Sequence, residues 1–254
     1  KLAPVSAKIA EEEIAEKIAY NYYAPALYDR RCNVIQFAGA DGKAVATFVN
    51  YAIHPEVIGP GQGILSPDVI GPFHDRIAEQ GGGMAIFMNG AQGGMVTADC
   101  RGEDGKDVQT WEECIRIGDL LADEALRIVK DKPEQKDPML YCGAKKVTFP
   151  IESDDMKFIV AYSPMKASLN ADGSISTTVN LVNFGTAQIL TIPGEALPNI
   201  GFYLKRKMHG EQNFLLGLTN DAFGYILTRE DFGSFERYNY VSRTSLGEQT
   251  GPIL

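Results

Sequence analysis

Apolar and polar positions alternate along this chain in two different rhythms, and the change of rhythm divides it. Near the N-terminus Ile9, Ile14, Ile18 and Tyr22 recur at helical spacing behind Ser6, with Glu11 to Glu13 in the early turns, which predicts an amphipathic helix over Ala7–Tyr23. Asn33–Ala38 and Ala44–Tyr51 instead read as strands around AGADGK, whose Asp41-Gly42 is a hairpin turn signal. Asp68–Glu79, capped by Ser66 or Asp68, is a predicted helix, Met84–Met88 a strand-like apolar run, and Thr110–Lys130 the longest helix, with Ile115, Ile117, Leu121, Ala125 and Ile128 on its inner side. Beyond the charged, proline-bearing stretch DKPEQKDP the period shortens. Leu140–Pro150, Phe158–Tyr162 and the hairpin signal in SLNADGSISTTVNLVNFG read as strands. Ala187–Ile192 and Asn213–Leu218 are strand runs, separated by a predicted helix over Ala196–Met208 with a basic end.

Strands alternating with helices predict an α/β fold: a three-layer domain with a mixed β-sheet flanked by helices and a β-rich excursion near 140–185. One domain over residues 1–254, with a subdomain boundary near 131–139, is the expected organisation. In such a sheet ligands bind where strands end. Two runs, Val45–Tyr51 and Met84–Met88, stop abruptly in polar or small residues, so His54 and the loop NGAQGGMVTAD are expected at one mouth.

Composition narrows the partners. The 254 residues carry a formal charge of -9, which argues against nucleic acid, because a phosphate backbone demands a lysine- and arginine-rich surface. Small molecules and lipids remain. No apolar run approaches the roughly 18 residues of a membrane span, and Lys1 does not open a signal peptide. The four cysteines, at 32, 100, 114 and 142, form no CxxC pair, so they are read as buried free thiols, with one or two disulfides left open.

Candidate chemistry then rests on few residues. His54, in AIHPEV, is held extended by Pro55 and can project into the crevice, whereas His74 and His209 read as helix-face and helix-end residues. Glu195 follows the strand AQILTIPG and reaches the same rim, or merely favours the start of the next helix. Tyr225 lies in GYIL after Asn220-Asp221. Gly93 and Gly94 allow backbone N–H groups to approach a ligand, as an oxyanion cradle requires, or make a tight turn. Asp68 and Asp99 read equally as cap, turn former or partner to a metal-bound histidine.

FVNYAIHPEV, SPDVIGPF, FMNGAQGG, TIPGEALPNIG and GLTNDAFGYILTREDF, in this order, resemble the neutral/alkaline ceramidases and their bacterial relatives, over residues 33 to 99 and 186 to 252. The resemblance implies a zinc amidase that cleaves the N-acyl bond of ceramide or a related N-acyl lipid, secreted or periplasmic, with contact to a membrane surface. It matches His54, Glu195 and Tyr225 to zinc ligands, and Tyr238, or its neighbour Tyr240, to the tyrosine that holds the developing oxyanion. A zinc with such ligands and one open position polarises an amide carbonyl and lowers the pKa of bound water to about 7. Two departures stand out. The family's further zinc histidine lies upstream, and no histidine precedes His54, so the chain is expected to be the C-terminal part of the catalytic domain without its N-terminal segment. The family loop NGxxGDVSPN carries a catalytic serine, where this chain has Gly94 in place of the aspartate and Thr97 as the nearest hydroxyl. The competing expectation is a non-catalytic lipid- or carbohydrate-binding homologue on the same scaffold.

Overall fold

The computed structural model describes residues 6–15, 17–24, 27–95, 97–164 and 169–254. Glu16, Val96 and Ser168, each inside a stretch read above, lie outside them.

A five-stranded sheet carries the first half of the site. Strand β1 (Ser6–Glu13) pairs antiparallel with β2 (Arg31–Ala38), which pairs antiparallel with β3 (Ala44–Tyr51). The turn between β2 and β3 is the expected one: Gly42 has φ +75° and Asp41 Oδ1 accepts from Lys43 N at 3.1 Å. Helix α1 (Ile70–Glu79) then crosses over, and β4 (Met84–Asn89) lies parallel to β3 with Tyr51 opposite Asn89. A parallel pair brings both carboxyl ends to one edge.

Among the described residues of 7–23 none is helical. Ser6–Glu13 is a strand, paired with β2 on one side and with β5 (Glu134–Lys136) on the other. It is apolar on both faces: Ala10 packs beneath the helices, while Ala7 and Ile9 pack against the second sheet. Its charged residues, which looked like a solvated helix face, are paired with other elements: Glu11 with Arg31 at 3.1 Å and Glu12 with Lys132 at 2.6 Å. Tertiary contacts override the helical period.

Helix α2 (Trp111–Lys130) forms where its sequence predicts, with Thr110 Oγ1 accepting from Glu113 N at 3.3 Å, glutamates in the first turn, and Arg127 and Lys130 in the last, but Ile115, expected on its buried side, is exposed, since the buried face runs through Cys114 and Ile117. It packs with α1 over the face that carries Cys32, Val34, Val49 and Tyr51. The other face meets a second sheet of β6 (Leu140–Phe149), β7 (Ile175–Phe184), β8 (Ala187–Thr191) and β10 (Gln212–Leu216), through Ile35, Phe37 and Phe48 against Phe214, Ile189 and Phe184. Between β8 and β10 come β9 (Glu195–Ala196) and α4 (Pro198–Lys207), and α4 covers Leu215 on the outer face. Mixed sheets flanked by helices are thus the architecture, with two sheets stacked inside. The segment 131–139 contains β5 and ties both sheets, Gln135 bonding Thr186 through both ends of its amide at 2.6 and 3.1 Å.

Within the excursion, β6 and β7 pair antiparallel, but Phe158–Tyr162 is not a strand. It belongs to helix α3 (Asp154–Tyr162), because Ser153 Oγ accepts from Met156 N at 3.3 Å and two aspartates occupy the first turn. None of the four cysteines is bonded. Cys32, Cys100 and Cys114 are buried and Cys142 is exposed.

Candidate active site

The mouth is built at the end of β3 and β4. Past Tyr51 the chain stays buried through Ala52 and Ile53, and His54 N donates to Met95 O at 3.3 Å, so the loop after β4 holds the histidine backbone. Asp68 fixes the turn that follows. It sits at φ +53°, nearly fully buried, and its carboxylate accepts from Val57 N and Ile58 N at 2.9 Å each and from Val69 N at 2.8 Å. Asp68 is therefore the clamp of the His54 loop rather than a helix cap, and α1 begins without a side-chain cap. Asp99 is no partner to the histidine either: it is ion-paired with Lys17 and Arg101, both at 2.7 Å.

Glu195 arrives from the opposite side. The short β9 lies parallel to β11 (Tyr225–Ile226), with Glu195 N donating to Gly224 O and Leu197 N to Ile226 O at 2.9 Å each. On its other edge Gly93 N donates to Ala196 O at 2.9 Å, which docks the site loop onto β9. A Cβ at Gly93 would stand 2.5 Å from Glu195 O, so glycine is required there for close approach. Since that N–H is already spent on Ala196, Gly93 does not supply the cradle expected of it. Gly94, at φ +80°, makes the turn.

These two edges bring His54 Nε2 to 2.9 Å from Glu195 Oε2, both side chains mostly buried. The contact is close but not aligned as a hydrogen bond, and Glu195 Oε2 is left buried without a hydrogen-bond partner among the described residues. An imidazole nitrogen and a carboxylate oxygen so placed can share a cation. At 2.9 Å the two atoms are close enough for one ion to meet both at the usual zinc–ligand distances of about 2.0–2.2 Å. The donor set fits on chemistry as well: imidazole nitrogen, carboxylate oxygen, and Tyr225, which stands directly across from Glu195 on β11. Among the described residues no group of three His, Cys, Asp and Glu side chains forms.

Burial first, then the charge of Glu195 and the phenol of Tyr240, hold the Tyr225 phenol above its ordinary pKa. Tyr240 packs edge-on to Tyr225, ring centroids 5.8 Å apart, and Tyr238 is buried with its ring 5.1 Å from that of Tyr23. Thr97 is also buried, and its hydroxyl has no partner among the described residues. A hydroxyl nucleophile needs an adjacent base, and none is bonded to Thr97. Cys100, directly after the site loop, is buried, which pushes its thiol up to about 11. His74 and His209 are exposed and remote in the fold, on α1 and after α4.

Two residues of this neighbourhood escaped the sequence reading. Tyr23 enters the sequence reading only as the end of the helix predicted over Ala7–Tyr23, and it stands instead in a non-helical segment. Gln92, fully buried on the site loop with both amide atoms unpartnered among the described residues, carries no motif that would single it out.

The α/β arrangement is similar to that of two ceramidases of known structure. Neutral ceramidase from Pseudomonas aeruginosa superposes with a TM-score of 0.77 at 14% identity, over 98% of this chain and 50% of that one. A ceramidase complexed with C2 gives a TM-score of 0.74 at 12% identity, over 98% and 52%. The chain thus spans about half the length of these structures. No protein-family model and no curated protein matches it.

Proposed function

We propose that this chain forms the His54–Glu195–Tyr225 side of a zinc-dependent amide hydrolase acting on ceramide or a related N-acyl lipid. The observation that carries the reading is the 2.9 Å approach of His54 Nε2 to a buried Glu195 oxygen with no hydrogen-bond partner, on a fold shared with ceramidases. A bound zinc would supply Lewis acidity toward the amide carbonyl and an acidified water. The chain's own residues do the rest. Glu195 and His54 would hold the ion, with Tyr225 beside them and a further ligand from outside the chain. Tyr238, buried at the same wall, donates its hydroxyl to the oxygen that gains charge as the amide is attacked. Thr97, lacking a base, is a weaker candidate for the attacking group than water.

An acidic protein whose described residues include no helix long and apolar enough to cross a membrane would meet such a lipid at a membrane surface. A secreted or periplasmic location belongs to the same reading. The test is release of fatty acid from N-acyl sphingosine by the zinc-supplied protein. Turnover that His54→Ala abolishes supports the hydrolase. Binding of several N-acyl lipids without turnover of any replaces it with a non-catalytic lipid-binding homologue.

A further inference from the structure

The segment between β1 and β2 runs antiparallel along the site loop. Asp99 N donates to Ile18 O at 2.7 Å, Ala19 bridges Ala98, and Tyr22 N donates to Gly94 O at 2.9 Å. Asn21, almost fully buried, locks the turn: its Oδ1 accepts from Tyr23 N and its Nδ2 donates to Leu27 O, both at 2.9 Å. These bonds leave Tyr23 little freedom. Its ring packs 5.1 Å from that of Tyr238 and edge-on to Tyr22 at 5.3 Å. It also covers Gly94, where a Cβ would lie 2.9 Å from Tyr23 Cδ2, so the tyrosine fills the space that a side chain at 94 would take.

Packing explains the ring but not the hydroxyl. Tyr23 is only 5% exposed; its hydroxyl has no hydrogen-bond partner among the described residues, yet it is not one of their fully enclosed unpartnered atoms, so it keeps an opening through which a ligand can reach it. Glu195, Tyr240 and Tyr238 lie within electrostatic reach of it. A phenylalanine would pack as well.

We propose that Tyr23 is a further substrate-contacting residue of the site, its hydroxyl donating beside Tyr238 to the carbonyl oxygen of a bound acyl compound. The inference rests on the hydrolase reading given above. A tyrosine hydroxyl at neutral pH donates one hydrogen bond, so the group it meets must be an acceptor, an acyl oxygen rather than an ammonium.

Tyr23→Phe keeps the ring and removes only the donor. In N-acyl sphingosine turnover, kcat should fall on the order of 10²-fold with KM within about threefold and the melting temperature unchanged. In calorimetry, laurate, whose carboxylate is a simple acceptor, should bind the variant about tenfold more weakly. Unchanged kcat in a wild type that turns over overturns the proposal and leaves the hydrolase reading standing. A melting temperature that falls together with both kinetic constants assigns Tyr23 to packing and overturns it too. If the wild type releases no fatty acid the hydrolase reading fails, and laurate decides the contact: weaker binding to Tyr23→Phe keeps it, whereas equal binding or none to either protein removes it.

Discussion

Gly93→Ala tests how the two halves of the site are joined. The added Cβ would stand 2.5 Å from Glu195 O, 2.8 Å from Ala196 C and 2.9 Å from Ala196 O, all backbone atoms of β9. That strand cannot step aside freely, because Glu195 N and Leu197 N are bonded to β11 on its far edge. Relief to an ordinary contact therefore requires the loop and β9 to part by roughly 1 Å, which breaks the Gly93 N to Ala196 O bond. Overpacking costs about 1–3 kcal/mol and the lost hydrogen bond about 1 kcal/mol, together roughly 2–4 kcal/mol. For a chain of this size that lowers the melting temperature by about 5–15 °C. The sign is informative, since glycine to alanine at an unstrained, open position stabilises by about 0.4–1 kcal/mol. Thermal unfolding followed by circular dichroism measures it. A melting temperature equal to or above that of the wild type would refute the docking of the loop on β9 and, with it, the geometry that holds Glu195 against His54.

Other expectations concern charge and thiols. Lys205 is buried with its ammonium 2.9 Å from Asp29 Oδ2 and 3.1 Å from Asn33 Oδ1, so Lys205→Met removes one of the two cations on a buried carboxylate, leaving Arg31, and should cost about 1.5–3 kcal/mol in urea unfolding. Burial alone would raise the pKa of Asp29, but Lys205 and Arg31 outweigh it and hold the carboxyl below its ordinary value. Its contribution is therefore complete above the ordinary aspartate range and is lost as pH falls through the lower folded value, so Asp29→Asn should flatten the acid limb of stability against pH. Among the thiols, burial pushes Cys32 and Cys114 up to about 12 and Cys100 up to about 11, whereas Cys142 is exposed. Ellman's reagent should find one fast thiol in the folded protein and four after unfolding; two or more fast thiols contradict that burial.

What the sequence revealed of this site followed from where strands stop. The polar breaks after Tyr51 and Met88 marked the mouth, and Glu195 was legible as a carboxylate at a strand exit. Thr110 and the glutamates behind it announced α2 through local capping chemistry. The first strand was illegible because Ile9, Ile14 and Ile18 satisfy a helical period by accident, while the charges between them are answered by Arg31, Lys132 and Arg127 from other elements. In FIVAY the β-branched and aromatic residues masked a helix that Ser153 starts. Tyr23 and Gln92 reach the site only through long-range pairing of the 18–23 segment and burial of the loop, neither of which leaves a periodic trace.

Zinc titration addresses the central claim most directly. The protein, stripped with chelator and titrated by calorimetry, is expected to take up one zinc ion per chain. Glu195→Gln and His54→Ala should each weaken that uptake by at least about tenfold, and Tyr225→Phe by less. Stoichiometric binding that survives both Glu195→Gln and His54→Ala, or no measurable binding to the wild type, would contradict the site described above.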